Sequence, residues 1–318
     1  MDLSVIVPTA THQAILGRAV ESLLGQVFPP ERFEIIVVDN GRFRLDPSVI
    51  PRECSGGPRV VFVREERPGL HHARHAGARA AAAEILGYID DDSIVSPDWA
   101  ARILACFESP RVGVAGGKTI GRFEGEVPIW LRRFGTVANC PALSLLDLGE
   151  GRILLPDGHY VYGCNMAVRH SILREVGGFN PDGMPEEAAR MRGDGECGLM
   201  DKVRAKGYSV VYDGSVVVEH WLAVERLQEK YFVSRLRREG ISRAYTLYRR
   251  SQGVATMAVV ALIAAGRATV HSVRARKAGS DSVWHRAQAA YNASLAGQAL
   301  RIVQNSELRR HITAKAYY

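Results

Sequence analysis

The feature that most limits what this chain can fold into is the regular exchange of short apolar runs and helical segments over its first hundred residues. Leu3–Pro8 is an apolar run closed by proline. Residues 14–24 carry Ile15, Ala19, Val20, Leu23 and Leu24 at helical spacing. Glu34–Val38 is β-branched and stops at Asp39-Asn40-Gly41, a strong turn signal. Val60–Val63 reads as a third strand, and the alanine-rich Leu70–Ile85 as a helix. Leu86–Ile89 reads as a fourth strand, running into Asp90-Asp91-Asp92. Alternation of this kind predicts an α/β fold, a mostly parallel sheet covered by helices. In such sheets ligands bind beyond the carboxyl ends of the strands. Asp39 and Asp90–Asp92 both fall at such ends.

The rest of the chain is less regular. Residues 116–159 are rich in Gly and Pro and contain Trp130, Arg132 and Arg133, the profile of a long functional loop. Tyr160–Val168 reads as a strand, followed by a short helix and Gly177-Gly178-Phe179-Asn180. Asp194–Lys206 reads as a helix stopped by Gly207. Val210–Tyr212 and Val216–Val218 flank Asp213-Gly214 as a hairpin. After Trp221 the pattern is helical. Within that region Val254–Gly266 is strongly apolar but shorter than the ~20 residues of a spanning helix, which predicts a buried core helix.

Composition bears on partners and compartment. From Leu222 onward there are 17 Lys and Arg against 5 Asp and Glu, whereas the preceding residues hold 24 against 29. Such asymmetry suggests separate roles for the two parts. The basic part suits an anionic surface, a membrane leaflet, a nucleic acid or a polyanionic acceptor; a solvated set of helical faces is the plain alternative. The cysteines at 54, 106, 140, 164 and 197 show no metal-clip spacing, and five cannot all pair within one chain. That fits a reduced, cytoplasmic setting. The opening segment has no basic region before its apolar run and reads as a strand and not as a signal peptide.

Several residues could carry chemistry. Three adjacent carboxylates, Asp90, Asp91 and Asp92, repel one another unless a cation compensates. A hard divalent ion does so and also holds phosphate oxygens; an acidic turn capping the next helix is the structural alternative. Asp39 can accept from a nucleobase or a ribose, or simply shape its turn. Arg74, on the helix opened by Gly69, offers positive charge to a phosphate. His71, His72 and His75 form a histidine-rich stretch with no thiol or carboxylate partner for zinc. Asp194 and Glu196 pair at a helix start, where carboxylates favour the dipole and where a general base could stand. His220 could complete a carboxylate metal site.

Taken in order, these segments resemble family 2 glycosyltransferases of the GT-A fold, over Asp2 to about His220. Ser4-Val5-Ile6-Val7-Pro8-Thr9 is similar to that family's first strand and nucleotide-facing turn. Glu34 to Gly41 is similar to its second, where Asp39 would contact the base. Arg74 and Gly77 match an Arg-Asn-Gly-like signature. Asp90 and Asp92 fit the Asp-X-Asp pair, and Gly163 to Val168 with Val176 to Phe179 resembles the acceptor-side stretch. The departures are His75 where Asn is frequent, Asn40 where a second Asp is, and Gly193 where Glu precedes the base.

The resemblance implies a mixed, mostly parallel sheet flanked by helices with a helical C-terminal extension. It implies a catalytic domain over 1–221, with a nucleotide-sugar half at 1–115 and an acceptor half at 116–221, and a basic helical region at 222–318. It further implies an inverting transfer from a nucleoside-diphosphate sugar, UDP being the commonest, to an acceptor hydroxyl. Asp194 is the expected base; Pro8, Thr9, Asp39, Arg74, Asp90 and Asp91 the donor site; Asp92 and His220 the ligands of Mn²⁺ or Mg²⁺; and Asn165, Trp130 and Glu196 the acceptor side. Trp130 and Trp221 could stack on a sugar ring. Glycan, lipid-linked or natural-product acceptors all fit, and nucleic acid is not an expected partner. The C-terminal helices would contact the inner face of a membrane or a second copy. Two other classes compete. A sugar nucleotidyltransferase would carry a glycine-rich basic loop where Pro8-Thr9-Ala10-Thr11 stands, and a dinucleotide-binding module would carry a Gly-X-Gly-X-X-Gly turn, which is missing.

Overall fold

A computed structural model of the chain describes residues 1–10, 13–42, 44–46, 48, 50, 56–277, 279–314 and 316–318. The first half follows the predicted alternation: β1 (Leu3–Thr9), α1 (Gln13–Leu24), β2 (Phe33–Asp39), β3 (Arg59–Arg64), α2 (Leu70–Ala80), β4 (Ile85–Tyr88), β5 (Ser93–Val95) and α3 (Trp99–Ala105). Then come β6 (Val112–Phe123), β7 (Arg152–Leu154), β8 (Met166–Arg169), α4 (His170–Glu175), α5 (Gly195–Ala205) and β9 (Ser209–Leu222). Four helices close the chain: α6 (Glu229–Ser251), α7 (Val254–Ala275), α8 (Ser282–Gln304) and α9 (Ser306–Ile312).

Among the described residues the strands form one nine-stranded sheet in the order β3-β2-β1-β4-β8-β6-β9-β5, with β7 on the far side of β9. Strands β3, β2, β1 and β4 are parallel, β8 runs antiparallel to both neighbours, and β6 and β9 are parallel again. The sheet is thus mixed, as expected. Its period of two splits the core. Val5, Val7, Ile35 and Val37 meet Leu16, Val20 and Trp99 of α1 and α3 on one face. Ile6, Ile36, Leu86 and Val114 meet Ala73, Leu173 and Leu199 of α2, α4 and α5 on the other. Helix α2 lies so close to β1 that a Cβ on Gly77 would come within 2.4 Å of Ile6.

Four sequence expectations are corrected. Helix α2 stops at Ala80, because Ala81 turns extended, well short of Ile85. Residues 160–165 are not strand; β8 begins at Met166. Part of the supposed irregular stretch, 116–123, belongs to β6. The expected hairpin at Asp213-Gly214 is a bulge within one long strand. Gly117 pairs with Asp213 and Lys118 with Val217, so residues 214–216 loop out while β9 continues in the same direction. Asp213 holds the bulge by accepting from Ser215 N (2.9 Å), Ser215 Oγ (2.6 Å) and Arg152 Nε (2.9 Å).

The C-terminal helices have their own apolar cluster, in which Ala244, Tyr245 and Tyr248 of α6 meet Met257 and Ala264 of α7 and Leu295, Ala299 and Ile302 of α8. A second cluster, Leu131, Leu143, Leu222, Leu227 and Phe232, ties α6 to the sheet side. The predicted burial of residues 254–266 is also corrected. Helix α7 is 22 residues long and apolar enough to cross a membrane, yet only 11% of its most apolar window is buried. Cys106, Cys140, Cys164 and Cys197 are free thiols; Cys54 lies outside the described residues.

Candidate active site

The turn after β4 is the centre of the site. Asp90, Asp91 and Asp92 follow the strand after Ile89, and Ser93 N donates to Asp90 O (3.1 Å) to close the turn. The Thr9 hydroxyl at the end of β1 donates to Asp91 Oδ2 (2.5 Å). Burial, with added repulsion from Asp92, pushes Asp91 up to about 7. Burial also pushes Asp90 up to about 6; Arg74 works against that shift and Asp92 with it. Three carboxylates share this small volume with Arg74 and Arg226, and at Asp90 and Asp91 burial outweighs those cations, a condition a bound divalent ion would relieve.

Register brings in the fourth group. β5 pairs antiparallel with β9, setting Ser93 opposite His220. His220 Nε2 then lies 3.3 Å from Asp92 Oδ1. Arg226 donates to both, at 2.9 Å to His220 Nε2 and in close contact with Asp92 Oδ2. Because an arginine can only donate, Nε2 is the acceptor, and the imidazole proton sits on Nδ1, bonded to Leu143 O (2.9 Å). A backbone carbonyl on one ring nitrogen and a lone pair on the other is the arrangement of a metal-ligating histidine. The Arg226 guanidinium occupies the position of a cation beside Asp92 and His220. These two residues fit a divalent ion that a diphosphate and water would complete. Among the described residues no group of three His, Cys, Asp or Glu side chains converges as a closed cage.

Two cavities meet at Asp90. One, of about 230 Å³, is lined by Pro8, Thr9, Asn40, Asp91, Asp92 and Arg226 among others. The other, of about 600 Å³, is lined by Arg74, Asp182, Glu196, Arg235, Arg238 and Tyr291 among others. Asp90, Leu70 and Gly183 border both. Arg74 stands at the junction. It is 1% exposed, its Nη2 donating to Glu196 Oε1 (2.9 Å) and lying 3.7 Å from Asp90. Burial opposes its charge, but Glu196, Asp90 and Asp182 outweigh that and raise its pKa. Its Nε and Nη1 have no hydrogen-bond partner among the described residues, a cost a ligand would remove. Gly163 makes room for the pair, since a Cβ there would fall 2.1 Å from Arg74 and 2.3 Å from Glu196.

Other expected site residues are engaged elsewhere. Asp39 accepts from Gly41 N (3.1 Å) and Leu45 N (3.0 Å) and pairs with Arg64 (2.9 Å); its neighbour Asn40, not Asp39, lines the smaller cavity. Asp194 borders the larger cavity, but four donors fill its carboxylate: Asn180 Nδ2 (2.6 Å), Thr246 Oγ1 (2.9 Å), and Arg249 Nε (3.0 Å) and Nη2 (2.9 Å). That wiring makes an ion pair joining α5 to α6. Asn165 is fully buried and brackets Trp99, Lys118 O and Val216 O, away from either cavity. Trp130 packs edge-on against Phe134 and Phe232 as part of an aromatic cluster. Trp221 lies under the guanidinium groups of Arg18 and Arg122.

The histidines of α2 lie side by side, His71 and His72 with ring centroids 3.9 Å apart, but two of them are engaged with the backbone of a neighbouring loop. His75 Nε2 accepts from Phe179 N (2.8 Å), and His71 Nδ1 lies 3.3 Å from Asp182 N, so both pin the 178–182 loop. Gly178, at φ +77°, leaves the space His75 occupies. Sequence reasoning missed Asp182, Arg226, Arg235 and Arg238. Asp182 stands two residues after the Gly-Gly-Phe-Asn stretch and could have been found there. The arginines lie in a region read only as basic and helical.

Residues 4–177 match the family model described as Glycosyl transferase family 2. Over 110 residues the chain is 33% identical to a validoxylamine A glucosyltransferase of Streptomyces hygroscopicus subsp. limoneus, covering 34% of this chain and 24% of that one. It is 23% identical over 253 residues to a glucosyl-dolichyl phosphate glucuronosyltransferase of Haloferax volcanii, covering 76% of each. The chain spans about a quarter of the length of two of the curated relatives it matches. Among solved structures it shares the fold of the mannosyltransferase PcManGT from Pyrobaculum calidifontis, solved with GDP-Man and Mn²⁺, at TM-score 0.57 and 19% identity over 94% of this chain and 86% of that one.

Proposed function

This chain belongs to glycosyl transferase family 2, and from that premise we propose that it moves a sugar from a nucleoside-diphosphate donor to an acceptor hydroxyl with inversion. The observation that carries the reading is Asp90, one carboxylate bordering two cavities of different character. The smaller cavity, with Thr9, Asn40 and the aspartate turn, suits the nucleotide and its diphosphate. Asp92 and His220 would hold Mn²⁺ or Mg²⁺, and the ion supplies Lewis-acid stabilisation of the departing diphosphate. Mn²⁺ in the PcManGT structure supports the choice of metal. Arg226 would turn from Asp92 to the phosphate oxygens.

The larger cavity suits the acceptor. We assign the base to Glu196 in place of Asp194. Glu196 shares Arg74 with Asp90, and its Oε2 makes no hydrogen bond among the described residues. In the transfer, Glu196 takes the proton of the acceptor hydroxyl, and the oxygen bonds to the anomeric carbon from the face opposite the leaving group. The bond from that carbon to the diphosphate breaks, its electron pair leaving on the phosphate oxygen. The cavity also points to an anionic acceptor. Arg235 and Arg238 stand one turn apart on α6, and Arg238, half-buried, makes no ion pair among the described residues. Burial, then Arg235 and Arg192, hold its pKa below the ordinary arginine value. A phosphate or carboxylate on the acceptor would answer that charge.

A thermal-shift panel of UDP, GDP and their sugars, with and without Mn²⁺, tests the donor reading. One nucleotide series should raise Tm in a metal-dependent way. If none of them does so, the donor assignment fails.

A further inference from the structure

Helix α7 presents two faces. Met257 and Ala264 are buried, with Val260 and Ala261 packed beside them against the helical cluster. The opposite face is apolar and open, carrying Val259, Leu262, Ile263, Val270 and Val273, with Leu262 76% exposed. A helix this apolar is ordinarily the buried core of a soluble domain or a signal sequence near the N-terminus. This one is neither, because so little of it is covered and it starts at residue 254. Its charge is one-sided too. Residues 252–280 contain no Asp or Glu but include Arg267, Arg274, Arg276 and Lys277.

We propose that α7 lies in the headgroup layer of an anionic lipid surface, its open apolar face inserted and its basic residues against lipid phosphates. An apolar stripe flanked by Arg and Lys with no acid is the pattern of an interfacial helix. Crossing is disfavoured by geometry. The run free of charge, 254–266, extends roughly 20 Å at about 1.5 Å per residue, short of a ~30 Å hydrocarbon core. The inner face is also committed to the cluster with α8. A second copy is a poorer occupant, because two such helices would each bring Arg267 and Arg274, with Arg276 and Lys277 just beyond, to a contact with no acid from 252–280 to meet them. The position suits the larger cavity. Tyr291 of α8 lines that cavity and packs against the same apolar cluster as Met257 and Ala264 of α7. A docked chain would therefore hold the cavity close to lipid-borne phosphate. Docking does not depend on transfer activity, so it stands or falls separately from the enzymatic reading.

Cosedimentation of the full chain with vesicles of phosphatidylcholine alone, or mixed with phosphatidylglycerol, tests it. Binding should require phosphatidylglycerol and weaken as salt rises. L262S/I263S alters only exposed side chains, so it should melt like the parent and bind on the order of tenfold more weakly. R267Q/R274Q should lose the preference for phosphatidylglycerol. No binding by the parent, equal binding to both vesicles, or undiminished binding by L262S/I263S would overturn the proposal. So would a dimer in sedimentation velocity that L262S/I263S dissolves, which would make a second copy the occupant of that face.

Discussion

Two carboxylates one residue apart on either side of Gly195 have opposite surroundings. Asp194 is filled by Asn180, Thr246 and Arg249, whereas Glu196 has Arg74 and the cavity. Removing a general base costs ~10²–10⁴ in rate, so the folded fraction of Glu196→Gln, whose amide oxygen can still accept from Arg74, should lose turnover in that range while keeping nucleotide affinity. Breaking a buried pair costs about 3–5 kcal/mol, so Asp194→Asn should lower Tm by several degrees while its surviving folded fraction turns over. The opposite result, an Asp194→Asn protein with parental Tm and no kcat, would return the base to Asp194. Arg238 offers a second residue-scale test. A hydrogen bond to a charged group is worth about 1.5–3 kcal/mol, so Arg238→Gln should raise the acceptor KM roughly tenfold or more and leave donor KM unchanged. An unchanged acceptor KM would mean that the acceptor carries no anion at this point.

Among the elements, α2 has the most pH-sensitive seat. Burial, reinforced by neighbouring histidine charge, lowers His71 to about 4 and His75 to about 2. Both are neutral when folded and take up protons only on unfolding between those values and about 6.5. Their contribution is therefore fully present above about pH 6.5 and is lost as pH falls below it. Asp90 and Asp91 are shifted the other way and offset this in the whole chain, so the informative quantity is a difference. His75→Gln keeps an acceptor near Phe179 N and removes one of the titrating groups. The Tm advantage of the parent over His75→Gln should shrink as pH is lowered from about 7 to about 5. A constant difference across that range would show that His75 does not titrate on unfolding.

For the whole molecule, the sheet region and the helical region share structure at the site. Arg226 sits on Asp92, Arg249 on Asp194, and Phe232 within the cluster of Leu131 and Leu222. At the far end, Tyr317 N donates to Gly177 O (2.9 Å) and Tyr318 contacts His170 (2.9 Å). Residues 1–221 expressed alone would lose all of these and expose an apolar cluster. Their Tm should fall by at least about 10 °C or the cooperative transition should vanish. A stable, nucleotide-binding fragment would instead show that the helices serve the acceptor and the lipid surface only.

Local pattern by itself determined the alternation of β1 to α3, the aspartate turn at the end of β4, and the pairing of Asp92 with His220 as candidates. Those features depend on period-two and helical spacing and on turn residues, which are written residue by residue. Tertiary structure decided the rest. Asp213-Gly214 makes a hairpin or a bulge according to which strand lies alongside, and β6 runs the full length of β9. Asp194 is a lone charge at the start of α5 or one half of an ion pair with α6 according to whether an arginine 55 positions later reaches it. Helix α7 is core or surface according to how many neighbours surround it, and an apolar stretch reads the same in both settings. Each of these outcomes depends on partners distant in the chain, whose arrival is set by packing and not by local propensity.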